Sequence, residues 1–313
     1  MHPLQHRLLV IGLILSILYV GGLSSYAKAS TTSPAPLVYD AFVAPDLANN
    51  HKLLATPGYY ETSEYMIGSV AVGVVLLESN GAIDPSTEDW TSTEEAQVTG
   101  EVQAALNWWS AQNPSAGVTF TVTNYRVPTS YEPINRPHTD HGLWIGEAMT
   151  HLGYSGVHYF TQVRGYVNAL RNNAGTDWAF VMFIVDSSND ADGCFTDTSS
   201  GGGNYFAYAY IGGPLMVMTY DNDGWGISNM DRVTAHEIGH IFYATDEYDG
   251  QPDYSGYLNV QDVDGSGALM DHNALWLSAG TRGQRGWRDS DGDGIQDIVD
   301  TFPNTYLNQH FPD

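Results

Sequence analysis

Ser228-Asn229-Met230-Asp231-Arg232-Val233-Thr234-Ala235-His236-Glu237-Ile238-Gly239-His240-Ile241-Phe242 is the stretch on which the reading of the chain turns. Apolar residues at Met230, Val233, Ile238, Ile241 and Phe242 have the spacing of a helix with one buried face, and Ser228 with Asp231 offers a capped start. Residues four apart lie one turn above each other on a helix, so His236 and His240 project from one side, about 6 Å apart along the axis. Two imidazoles so placed can close on one zinc ion at roughly 2.0–2.1 Å each. Glu237 lies about 100° round the helix, where its carboxylate reaches a water on the metal without being a ligand, so its expected role is general base. The competing description is a helix with two partly buried histidines and an exposed glutamate.

Working outward, the preceding sequence alternates between strand-like and helix-like runs. Val70-Ala71-Val72-Gly73-Val74-Val75-Leu76-Leu77 is β-rich and apolar on both faces, as a buried strand is. Ser92-Thr93-Glu94-Glu95 opens a helix that runs through Val102, Leu106 and Trp109 to a stop at Asn113-Pro114. A strand over residues 118–122, a helix over 157–170 and an apolar strand over 179–185 follow. After the loop at Ser199-Ser200-Gly201-Gly202-Gly203 come two more β-like runs, 205–211 and 215–220. This order predicts an α+β fold, a mixed sheet backed by helices.

A catalytic zinc needs a third protein ligand and one open position. Asp246 stands six residues after His240, with Glu247 beside it. In this spacing the chain resembles the metzincin metallopeptidases, whose third ligand, His or sometimes Asp, lies six residues after the second His; the Asp form is that of the snapalysin branch. The resemblance implies a zincin-like fold with an active-site helix, ligands His236, His240 and Asp246, and Glu237 as base. It also implies a methionine turn beneath the metal, for which Leu269-Met270-Asp271-His272 is placed suitably, with Met270 as a packing floor. Some members carry a tyrosine two residues after that methionine to steady the tetrahedral intermediate, and His272 holds that position here. The chain departs from the family at Tyr243, where a glycine usually lets the backbone leave the helix sharply. Tyrosine is disfavoured at left-handed backbone angles, so Glu247 stays open as the alternative to Asp246. The resemblance further implies an extended peptide substrate paired with an exposed strand edge, for which residues 205–211 are the candidate.

Near the end, Asp289, Asp291, Asp293, Asp297 and Asp300 occupy positions 1, 3, 5, 9 and 12 of a calcium loop with Gly294 at 6. Asp300 replaces the bidentate glutamate of an EF-hand and Pro303 leaves little room for a second helix. The segment is more similar to the aspartate-rich calcium repeats of thrombospondin type 3 modules. A solvated acidic linker is the plainer reading.

Residues 1–29 read as a signal peptide: Arg7, an apolar run from Leu8 to Val20, then Ala27-Lys28-Ala29. The run falls short of a bilayer span. Residues 30–63 read as a leader or propeptide, 64–287 as the metallopeptidase domain and 288–313 as the acidic tail. Without residues 1–29 the chain carries 9 basic against 36 acidic side chains, a net charge near −27. This excludes a phosphate-backbone binder and favours solubility and cation binding. Cys194 is the only cysteine, so no intrachain disulfide forms and no thiolate cluster binds metal. The expectation is therefore a secreted zinc endopeptidase with a calcium-binding tail, a peptide or protein substrate, no nucleic-acid partner and no stable membrane insertion. Two other readings share these features: a zinc hydrolase of non-peptide amides or esters, and a non-catalytic, calcium-stabilised adhesion module.

Overall fold

The computed structural model describes residues 57–198, 203–248, 250 and 252–300. The expected signal peptide (1–29), residues 30–56 of the expected leader and residues 301–313 of the tail lie outside them. Among the described residues no helix is long and apolar enough to cross a membrane.

The chain forms β1 (Ser69–Ser79), α1 (Ser92–Gln112), β2 (Thr119–Thr129), α2 (His141–His151), α3 (Tyr159–Ala174), β3 (Trp178–Val185), β4 (Ala207–Ala209), β5 (Leu215–Thr219) and α4 (Met230–Ile241). A small hairpin of β6 (Tyr254–Ser255) and β7 (Val260–Gln261) follows, then two short helices, α5 (Leu269–His272) and α6 (Ala279–Gln284). The main sheet has the order β2-β1-β3-β5-β4. Its first four members run parallel and β4 pairs antiparallel to β5 at the edge. The architecture is thus a five-stranded mixed sheet with helices, the α+β class read from the sequence.

Register shows which helices cover which face. Gly73 lies in register with Val181, which lies in register with Leu215; a Cβ at Gly73 would meet the Tyr166 hydroxyl of α3 at 2.2 Å. Met218, three residues beyond Leu215 and so of opposite parity, accepts a contact from the Thr234 hydroxyl of α4. Therefore α3 and α4 pack on opposite faces, and every residue of β3 is buried. This explains the unbroken apolar run at 179–185.

The start of α1 follows the reading closely: Thr91 caps it, and Glu94 reaches back to the Thr91 amide in a capping box. Three expectations change. The strand expected at 118–122 extends to Thr129, because residues 123–129 form an edge that pairs with β1 while Asn124 and Arg126 face outward. Helix α2 was not foreseen. The cap at Ser228 is not used: a 3-10 turn spans Ile227–Asn229, and α4 begins after Asn229 with no side-chain cap bond.

The sequence boundary at residue 64 is not a structural edge. Thr62 and Ser63 are already buried, the Thr62 carbonyl accepts the Ala179 amide at 3.0 Å, and Arg171 donates to the Glu61 carbonyl at 2.7 Å. At the far end, the Trp287 indole donates to the Met66 carbonyl and the Met66 amide donates to the Arg285 carbonyl at 2.9 Å. Arg285, fully buried, lies over Trp109 at 3.9 Å and beside Trp287 at 5.3 Å. Cys194 is buried, and burial pushes its thiol up, away from the reactive thiolate.

Candidate metal centre

Helix α4 ends in a turn that sets the geometry of the site. Tyr243 has φ +69°, the left-handed conformation usually left to glycine. Its amide donates to the His240 carbonyl at 3.0 Å, and the next amide, Ala244, donates to the Gly239 carbonyl at 2.9 Å. These are the two bonds of a Schellman terminator. The sharp exit that the glycine-bearing family implies is thus made here with tyrosine. The side chain holds the turn in place: a Cβ at Gly212 would lie 2.5 Å from Tyr243 Cζ, so the ring rests on the turn after β4. The Gly212 amide also donates to the His240 carbonyl at 3.0 Å.

The turn brings Asp246 back over the helix. His236 Nε2 and His240 Nε2 lie 3.1 Å apart; Asp246 Oδ1 is 3.1 Å from the first and 3.4 Å from the second. All three side chains are buried. Each imidazole is fixed from behind by a carbonyl that can only accept: His236 Nδ1 donates to Leu269 O at 2.9 Å and His240 Nδ1 to Ala244 O at 2.7 Å. In the neutral rings both Nε2 lone pairs therefore point at the same spot as a carboxylate oxygen. That apposition is repulsive unless a proton or a metal cation lies within it. Burial would raise the Asp246 carboxyl, but the imidazoles outweigh it and hold it at about 2. Burial would lower His240, and Asp246 reverses that.

The donor set fits a metal. A tetrahedral ion with ligand bonds of 2.0–2.1 Å separates its ligand atoms by about 3.3–3.4 Å, close to the spacing seen. Asp246 Oδ2 is buried with no hydrogen-bond partner, and the carbonyl-backed imidazoles have the outer-shell support that orients metal-binding histidines. Glu237 is not in the cluster. Burial, opposed by His236 and reinforced by Asp246, pushes its carboxyl up to about 8, and its Oε2 is buried without a partner.

Met270 lies directly beneath the helix. A Cβ on Gly239 would meet Met270 Sδ at 2.6 Å, so glycine at 239 is what admits the thioether. Glu247, the alternative third ligand, faces elsewhere. Its carboxylate accepts the hydroxyls of Ser266, Ser278 and Thr281, and its amide donates to the Met270 carbonyl at 3.0 Å. It ties the motif end to α5 and α6 and stands outside the group of donors within 4.8 Å. His272 is on α5 with Met270, but its side chain is 59% exposed and lies against Asp271, with Nδ1 2.9 Å from Oδ1.

In the tail, donor atoms of Asp289, Asp291 and Asp293 lie within 4.8 Å of one another, and Asp291 Oδ2 is buried without a partner. Asp297 and Asp300 are not in that group. Asp297 is occupied by Arg288 Nε at 2.6 Å and by the Ser290 amide and hydroxyl at 2.7 Å each, which holds it below the usual carboxylate range against the effect of burial. The candidate edge strand at 205–211 contracts to β4, which does form the sheet edge next to α4.

Two features of the site had no sequence signal: the left-handed Tyr243 and the hydroxyl cage around Glu247. The cage residues lie 19 to 34 positions downstream, so no local pattern joins them to Glu247. Compared with known proteins, the chain matches no protein-family model and no curated relative.

Proposed function

We propose that this chain is a zinc-dependent endopeptidase with a metzincin-like active site. The carrying observation is the convergence of His236 Nε2, His240 Nε2 and Asp246 Oδ1 beside a buried glutamate with one bare oxygen. In this reading the three residues hold zinc, which when bound supplies Lewis acidity towards a carbonyl and acidifies water at its open position. Glu237 takes the proton from the attacking water and delivers it to the leaving amine. Burial alone raises this carboxyl, and a zinc cation held beside it would lower it again and keep it ionised as the base. Met270 supports the helix from below. The antiparallel edge strand β4, bolted to the end of α4 through Gly212, supplies main-chain groups to an extended peptide. Support for a metzincin-like fold comes from the mixed sheet, the edge strand beside the motif helix and the methionine under Gly239.

The same reading makes the protein exported and calcium-stabilised at its tail through Asp289, Asp291 and Asp293. The protein would bind about one zinc per chain and cleave unfolded protein, and Glu237→Ala would keep zinc and lose cleavage. Zinc without cleavage of any peptide in a broad library sinks the peptidase reading. Cleavage of simple amides or esters alone would favour a non-peptide hydrolase, and no hydrolysis at all a non-catalytic adhesion module.

A further inference from the structure

Strand β2 borders the sheet on the side away from β4 and is paired along one side only. Its eleven residues, Thr119–Thr129, keep an unbroken one-to-one register with β1. The Thr119 amide donates to the Gly68 carbonyl at 3.1 Å, and ten residues on the Thr129 carbonyl accepts the Asn80 amide at 2.8 Å. Backbone groups alternate in direction along a strand, so the odd-numbered residues turn theirs to β1 and the even-numbered ones turn theirs away from the sheet. Among the described residues nothing bonds to the outward amides of Phe120, Val122, Asn124 and Arg126, or to the carbonyls of these four and Pro128.

Proteins usually guard an edge of this length with lysines, bulges, prolines or a covering element. The other edge, β4, is only three residues long. β2 has no lysine and no bulge, and its one proline is the last residue but one. Thr119, Thr121, Asn124, Arg126 and Pro128 are exposed, so the edge is open to solvent. Its composition also departs from that of the molecule. The chain carries a net charge of −25, which drives identical copies apart, yet no carboxylate occurs between Glu101 and Glu132. Arg126, the one charged residue of the strand, is already paired with Glu78 at 3.0 Å and Glu95 at 3.3 Å.

We propose that β2 pairs antiparallel with β2 of a second copy of this chain, about a two-fold axis at Thr123, joining two five-stranded sheets into one. In this register Phe120 lies opposite Arg126 of the second copy and Val122 opposite Asn124. Each of the four pairs exchanges two hydrogen bonds, so every outward amide is used. Pro128, with no N–H to give, falls outside the pairs. Moving the axis to Asn124 would set Pro128 against Phe120 and leave the Phe120 carbonyl without a donor. Thr123 meets itself on the axis, no two charges face each other, and the aromatic and β-branched side chains suit cross-strand contact. The edge is complementary to itself, as a two-fold interface must be, and this favours a second copy over an unrelated strand. Both β4 edges stay free, and the pairing is independent of the zinc reading.

Sedimentation equilibrium of the full chain from about 1 to 100 µM tests this, a range suited to a small, transient interface. A reversible equilibrium between monomer and dimer is expected. Thr123→Lys and Thr123→Glu each set like charges across the axis, so each alone dimerises more weakly than wild type. Their equal mixture forms a mixed dimer about tenfold tighter than either alone. Asn124→Pro deletes an outward amide and leaves the bonds to β1 intact. It raises the dimer Kd at least about tenfold, while the diluted monomer melts within about 3 °C of wild type. A single species of monomer mass up to about 100 µM overturns the proposal. So does a dimer that Asn124→Pro leaves unchanged, or one in which the mixed Thr123 variants bind no tighter than each alone, since the contact then lies on another face or in another register. Should Asn124→Pro not fold, the two Thr123 variants decide the matter by themselves.

Discussion

The ring of Tyr243 lies so close to Gly212 that a Cβ there would come within 2.5 Å of Cζ. Gly212→Ala meets that ring and must also hold φ +80°, a conformation costly to alanine. The substitution is expected to lower stability by about 2–4 kcal/mol, the sum of overpacking and backbone strain. Denaturant unfolding measures it; a loss below about 0.5 kcal/mol would show that the contact relaxes freely.

Asp246 and Glu247 separate cleanly by experiment. Asp246→Ala removes a donor and should weaken zinc binding by more than about 100-fold, beyond the usual 10–100-fold effect of outer-shell changes. Glu247→Gln perturbs a buried hydroxyl cage instead, and should cost about 1–3 kcal/mol of stability while leaving one zinc per chain. Zinc competition with a chromogenic chelator, run beside thermal melts, reads both. Loss of zinc from the Glu247 variant with retention in the Asp246 variant would invert the assignment.

Gly239 and Met270 make a second tight pair. Gly239→Ala drives a methyl group towards Sδ at 2.6 Å, and because the thioether is flexible the expected cost is modest, about 1–2 kcal/mol. Gly239→Val leaves no such escape and should fail to hold metal at wild-type affinity. Equal zinc affinities for Gly239→Val and wild type would remove Met270 from the support of the site.

The sequence made the helices and central strands legible wherever one local signal dominated. The Ser92-Thr93-Glu94-Glu95 signature marks the start of α1, one residue after the Thr91 that caps it, and the continuous apolar run marks β3. Helix α2 escaped because His141, Gly142 and Gly146 weaken its helical signal, and because its place is set by tertiary contacts: His141 bonds to Tyr159 and Tyr208 at 2.8 and 2.9 Å. At the candidate site the helical spacing of His236 and His240 could be read directly. The choice between Asp246 and Glu247 could not, since it depends on a backbone angle at Tyr243 that residue type alone argues against.

His141 gives a pH dependence with a defined sign. Burial, reinforced by His138, depresses its imidazole to about 4 in the folded chain, against 6.5 for the unperturbed group. Above about pH 6.5 both states hold it neutral and its contribution to stability is complete. As pH falls from there towards 4, the unfolded chain takes up a proton that the folded chain refuses, so stability is lost. Wild type should therefore lose stability relative to His141→Gln across that window in urea titrations at pH 7, 5.5 and 4.5. A gap constant with pH contradicts this.

The clasp between Met66 and Trp287 joins residues 221 positions apart. In a chain with one cysteine, it does what a terminal disulfide does elsewhere: it splices the beginning of the first strand's approach to the last turn of the domain. Any proteolytic trimming that keeps the domain intact therefore leaves both residues, and the Thr62 that bonds to Ala179 before them, in place. A cut that removes either residue releases both ends at once, and trimming becomes unravelling.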